Sequence, residues 1–144
     1  MSEADWGEEL NPSTGELDAP TPENPEGAPE LRFATLPDFV EQYLVLIYQR
    51  DLDIASNRWC TKWWYHAEAI ARLEAMWRAW ELLRLDPGEG GSNWWLSHAD
   101  PHMRVLLSEN GPFRHCRKGL HAEDGRLSPL PVEVVPDDLR SAFG

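Results

Sequence analysis

RWCTKWWYHAEAIARLEAMWRAWELLRLDPGEGGSNWW, residues 58–95, holds seven of the chain's eight tryptophans. Each indole can bury roughly 150–250 Å² and brings one N–H that needs an acceptor. That density marks a folded domain with an aromatic core, with or without an exposed contact surface. Inside the stretch, Ile70, Leu73, Trp77, Trp80 and Leu83 recur every three or four residues. The spacing predicts a helix from His66 or Ala67 with one wide buried stripe. Arg72, Glu74, Arg78 and Glu81 fall off that stripe, and Glu74 and Arg78 stand four apart in the favourable order. Asp86-Pro87-Gly88 and Gly90-Gly91 then stop the helix in a loop.

Outward from this block the signals weaken. Thr35-Leu36-Pro37-Asp38 has the chemistry of a helix start, and Phe39, Tyr43, Leu46 and Ile47 extend it to about residue 51. Residues 58–65 alternate loosely, but a lone strand would lack a partner, so a helix or an irregular packed segment is expected there. Ser92 can cap a third helix from Asn93. Pro101 should break it, because the proline ring clashes with the carbonyl four residues back. The expected solution is a new cap at Asp100 and a short helix to Leu107. Beyond Gly111-Pro112, with Pro129, Pro131 and Pro136, an extended segment lying on the domain is expected.

The net charge of −12 is unevenly placed. Residues 1–30 carry nine acids and no Lys or Arg, which leaves −3 for residues 31–144. With five prolines and little to bury, this segment cannot offset an ordering entropy of roughly 1–2 kcal/mol per residue, and it reads as disordered. It serves as a solubilising leader or as an acidic arm for a basic partner. The expected class is mostly α: a small bundle of three to four helices with an irregular Pro-rich C-terminal segment and a disordered acidic N-terminal tail. Its expected divisions are a tail at 1–30, a Trp-rich helical domain at 31–135 and a C-terminal tail at 136–144. No window reaches the roughly 20 apolar residues of a membrane span, and no basic, apolar leader opens the chain. Two cysteines without an export signal point to reduced thiols and a cytoplasmic protein.

Four ligand-competent residues lie close in sequence: His98, His102, Cys116 and His121. Zinc takes Cys and His tetrahedrally, and a structural zinc suits a small domain whose last third lacks regular structure. Against this set stand Pro101, which disturbs the register between His98 and His102, and the absence of a C-x2-C or H-E-x-x-H knuckle. The alternative is that these are packed or surface histidines. Cys60 and His66 form a second possible pair. Neither G-x-x-x-x-G-K, G-x-G-x-x-G nor G-x-S-x-G occurs, and no residue is expected to be catalytic.

Trp63-Trp64 and Trp94-Trp95 are adjacent pairs, so at most one member of each can share a helix's buried face. Their partners, with Arg58, Lys62, Arg72 and Arg78 nearby, have the composition of a protein contact surface. Single-stranded nucleic acid, held by stacking, is the other occupant such a surface takes.

The motifs RWCTKWWYHAEAIARLEAMWRAWELLR, SNWWLSHADPHMRVLL and GPFRHC with a later His resemble domain of unknown function 4913, over about residues 33–131. The resemblance implies a cytoplasmic protein of actinobacterial plasmids, phages or conjugative elements, and it brings no activity or catalytic residues. It strengthens the grouping of His98, His102, Cys116 and His121. The expected function is therefore a non-enzymatic accessory or adaptor protein working by protein contact, with a small zinc-binding nucleic-acid module as the alternative.

Overall fold

The computed structural model describes residues 29–123 and 129–144; the acidic tail's reading falls almost wholly outside them. Among the described residues the chain is mostly helical, in four helical segments. Helix α1 (Leu36–Phe39) runs on through a π-helical stretch, Val40–Leu44, into α2 (Val45–Ile47). Thr35 caps α1, its hydroxyl oxygen accepting from the Asp38 N–H, and Pro37 sits in the first turn. The helix ends before the expected residue 51 because Tyr48 leaves the helical basin. Its ring stacks on Trp95 and its hydroxyl donates to Asp100.

Helix α3 (Ala67–Leu83) is the element the others pack on, touching α1, the third helical segment's α4 (Gly90–Trp94), the π-helical stretch Trp95–Ala99 and α5 (Asp100–Leu106). Its buried face is Ala69, Leu73, Met76, Trp77 and Glu81, with Ile70, Trp80 and Leu83 half-buried beside it. The stripe is thus rotated from the expected one, and Glu81 lies inside it. Its carboxylate stays there because it accepts from the Phe33 N–H at 2.8 Å and from Arg84 at 2.9 Å. A buried carboxylate with such donors keeps its charge compensated.

The core between α1, α3 and α4 is a set of rings. Trp80 lies 4.9 Å from Tyr43 and 5.3 Å from Phe33, and Trp94 meets Phe39 edge-on. Both deeply placed indoles find acceptors: Trp94 donates to the Met76 carbonyl at 2.9 Å and Trp77 to that of Phe33 at 3.2 Å.

Two expectations about the third segment are corrected. It begins at Gly90, not after a Ser92 cap, and Pro101 does not break it. The wide π turn at Trp95–Ala99 immediately precedes the proline, so the carbonyl its ring would strike is moved aside and the missing N–H is passed over. Asp100 consequently sits within the helix and binds Tyr48 rather than capping. At the C-terminal end, residues 129–136 are irregular, but a short exposed helix α6 (Asp137–Arg140) follows, where an extended chain was expected. No helix among the described residues is long and apolar enough to cross a membrane.

Candidate metal centre

Away from the ring core, residues 58–66 and 111–122 carry little regular structure, only short turns and isolated bridges. The first strip is the irregular packed segment that the sequence suggested, with one 3-10 turn at Trp63–Tyr65. It is tied to the second by a parallel bridge between Cys60 and Gly119, with the Thr61 N–H donating to the Gly119 carbonyl at 2.8 Å. The second strip folds back on itself through Lys118 and Gly119, both at positive φ, and closes with Leu120 N–H donating to the Arg117 carbonyl. A glycine at φ +80° is what this reversal requires.

These turns bring four ligand atoms together. One ligand atom from each of Cys60, His66, Cys116 and His121 lies within 4.8 Å of every other. Cys60 Sγ is 3.1 Å from His121 Nδ1, and Cys116 Sγ is 3.7 Å from His66 Nε2. Zinc–sulfur bonds of about 2.3 Å and zinc–nitrogen bonds of about 2.0–2.1 Å set tetrahedral ligand atoms roughly 3.3–3.8 Å apart. The group therefore has nearly the dimensions of a Cys2His2 sphere. Both cysteines are buried and free, and both histidines are half-buried.

The surroundings orient the ligands. His66 stands at the N-cap of α3, where its backbone N–H donates to Trp63. Its ring meets Phe113 edge-on at 4.9 Å, and Phe113 in turn meets Trp59. A hydrogen bond to the Pro112 carbonyl engages the same imidazole, the kind of outer partner that fixes the tautomer of a ligating histidine. Burial, with the charge of His121 second, holds His66 below the usual histidine range, which favours the neutral, ligating form. Burial likewise pushes the Cys60 thiol up to about 11, with Cys116 adding to the rise against an opposing hydrogen bond from Lys62. A buried thiol such as Cys60 resists ionisation unless a cation sits beside it.

Only half of the ligand set expected from sequence is in this group. Cys116 and His121 belong to it; His98 and His102 do not, and Cys60 and His66 take their places. His98 lies in the π-helical stretch and His102 in α5, where its Nδ1 is 3.1 Å from Arg72 Nη1. The helical segment sets His102 against Arg72 of α3, and neither histidine joins the converging group. The missed signal is a repeated arm: Cys60-x5-His66 matches Cys116-x4-His121 in residue types and almost in spacing. Of the four candidate contact tryptophans, Trp63 and Trp94 are core residues and Trp95 is half-buried against Tyr48. Trp64 is 51 % exposed, and Tyr65 beside it 60 %.

A family model described as Domain of unknown function (DUF4913) matches residues 33–136, spanning both the ring core and all four ligands. No curated protein and no solved structure matches the chain.

Proposed function

The chain belongs to the DUF4913 family, and from that premise we propose that it is a non-enzymatic accessory module organised on a structural Cys2His2 zinc centre. The observation that carries this reading is the convergence of Cys60, His66, Cys116 and His121 within 4.8 Å. Four protein ligands fill a tetrahedral shell and leave no position for water or substrate, the mark of a structural rather than a catalytic zinc. The setting on an actinobacterial mobile element, which the family resemblance implies, belongs to the same proposal.

The module works by contact, and charge favours single-stranded nucleic acid over protein as the partner. Besides the buried Arg58, the two ligand-bearing strips, 58–66 and 111–122, carry four cations, Lys62, Arg114, Arg117 and Lys118, and no acid, in a chain of net charge −12. All four cations are exposed. The ion pair of Lys118 with Asp53 is 4.0 Å long between two exposed groups and neutralises little. Between the cations run exposed rings: Trp64 lies 6.2 Å from Tyr65, and Tyr65 lies 5.1 Å from His121. Aromatic platforms among cations hold unpaired bases by stacking and phosphates by charge.

Elemental analysis of the purified full chain should find one zinc per molecule. Cys60→Ser and Cys116→Ser should lose it, while a His98→Ala, His102→Ala double variant keeps it. Retention by the cysteine variants, or loss in the double histidine variant, overturns the centre. Oligothymidylate binding should then weaken with salt, with a log–log slope of about −3 for four phosphate contacts. Trp64→Ala should weaken it fivefold or more with zinc retained. If the zinc is present but the zinc-loaded protein ignores oligothymidylate, the centre stands and the module is a protein adaptor instead.

A further inference from the structure

A second site, which shares none of the four ligands, lies in the cleft between residues 44–59 and α5. It has two chambers that share Tyr48, Arg50 and Leu107. One, of about 210 Å³, is apolar, walled by Leu44, Leu52, Trp59 and Met103. The other, of about 470 Å³, is polar, walled by Ser56, Asn57, Asp100 and Arg104.

The wall of the polar chamber carries two guanidinium groups, Arg50 and Arg104, against one carboxylate, Asp100, and Arg58 lies in the adjoining loop. Arg50, Arg58 and Arg104 form no ion pair among the described residues. Arg58 is 94 % buried, since only 6 % of it is exposed, and its Nε has no hydrogen-bond partner. Its Nη1 donates to the Ala55 carbonyl, so the guanidinium lies in the loop whose Ser56 and Asn57 wall the chamber. A buried guanidinium without a carboxylate is costly and calls for an anion nearby. The single carboxylate of the wall, Asp100, accepts from the Tyr48 hydroxyl at 3.1 Å and offsets only one of the wall's two guanidinium groups.

Tyr48 is the fixed divider between the chambers. Trp95 stacks on its ring at 5.7 Å and 18°, and the Arg50 guanidinium lies 4.3 Å from its centroid. The apolar chamber thus opens beside a bay where guanidinium groups gather, a concave arrangement of apolar walls with a few convergent polar groups.

We propose that this cleft binds a small organic anion, its ring-sized apolar body between Trp59 and Leu107 and its oxyanion on Arg50 and Arg104. A carboxylate and a phosphate monoester share that chemistry. Arg104 is exposed and unpaired, so it is the direct recognition residue; Arg58 sets the field from within the loop.

The test is a titration of the zinc-loaded full chain, followed by 1H–15N spectra, with phenyl phosphate in one arm and phenylacetate in the other. Saturable shifts at the Trp59 indole N–H and at Tyr48 and Arg104 are expected in at least one arm, which also identifies the oxyanion. Inorganic phosphate alone or toluene alone should bind at least tenfold more weakly, because each fills one chamber. Arg104→Glu should weaken the winning probe at least tenfold, and Arg104→Lys should restore part of it. Shifts confined to Trp64, Lys62 or Lys118 would place the anion on the ligand-bearing strips and overturn the proposal. So would an Arg104→Glu protein that binds with unchanged affinity.

Discussion

The two ends of this domain reach the same degree of burial by different means. The ring core uses area: Phe39, Leu44, Leu73, Met76, Trp94 and Leu106 are all essentially inaccessible, and they are set by regular helices. Among the described residues, the buried side chains of the ligand end are Arg58, Trp63, Pro112, Phe113 and the two cysteines, set by turns and isolated bridges. Helices need an apolar stripe and little else to find their places. Turns with so little to bury need a cross-link, and the proposed zinc on the four convergent ligands would provide one. On that proposal, stability in this chain has two separable sources.

The sharpest way to break that comparison is to remove the proposed zinc. Structural zinc in small domains contributes an apparent ~10–16 kcal/mol at neutral pH, more than most domains hold in total. Chelation should therefore lower the melting midpoint strongly. It should abolish protection from hydrogen exchange over residues 58–66 and 111–122 first, while α3 keeps its own. Simultaneous loss of protection at both ends would show one cooperative unit instead of two.

The ring core should yield to cavity formation but not to chelators. Trp94→Ala should cost about 3–5 kcal/mol, as for other emptied aromatic sites, because the indole is 1 % exposed and its N–H holds the Met76 carbonyl. Trp77→Ala belongs in the same range. Denaturant unfolding checks both, and zinc content should be unchanged in whatever fraction folds. A loss below 1 kcal/mol would mean that the rings repack freely. Glu81→Ala comes next, at about 1–3 kcal/mol, since it leaves the buried Phe33 N–H without its acceptor. Glu81→Gln should recover much of that loss by keeping an oxygen in place.

Legibility in the sequence follows the same division. Helix α3 was readable as an element, with its start within one residue, because apolar residues every three or four positions leave one solution, although its buried stripe is rotated from the expected one. The adjacent-pair rule for Trp63 and Trp64 also held, one buried and one exposed. Glu81 was misplaced because periodicity assigns a carboxylate to solvent, and its donor, Phe33, is 48 residues away. Pro101 was read as a break because the π turn that accommodates it has no local signature. The converging group differs from the expected ligand set for a related reason. His98 and His102 are near Cys116 in sequence, but Cys60 and His66 reach it only through the bridge at Gly119. Proximity along the chain misled where a long-range turn decided.

The smallest expected effect separates the two pairs of histidines. His102 lies below the ordinary histidine range, first because of burial, then because of the positive charges of Arg72 and His98. A depressed folded-state pKa means that the fold prefers the neutral ring. The stability this contributes is present above the unfolded value of about 6.5 and is lost as pH falls through the folded one. Between pH 7.5 and 5, His102→Gln should therefore lose less stability than the parent, a modest difference because the ring is only half-buried. The direct measurement is an NMR titration of the His102 ring, with a midpoint below 6.5 that rises in Arg72→Gln. A midpoint unmoved by that substitution would show that Arg72 Nη1, 3.1 Å away, is not setting the ring's charge. His66 should behave differently in the zinc-loaded protein, giving no free titration until acid displaces the metal. Reversible titration of both His66 and His102 with zinc still bound would erase the distinction between the ligand ring and the helical one.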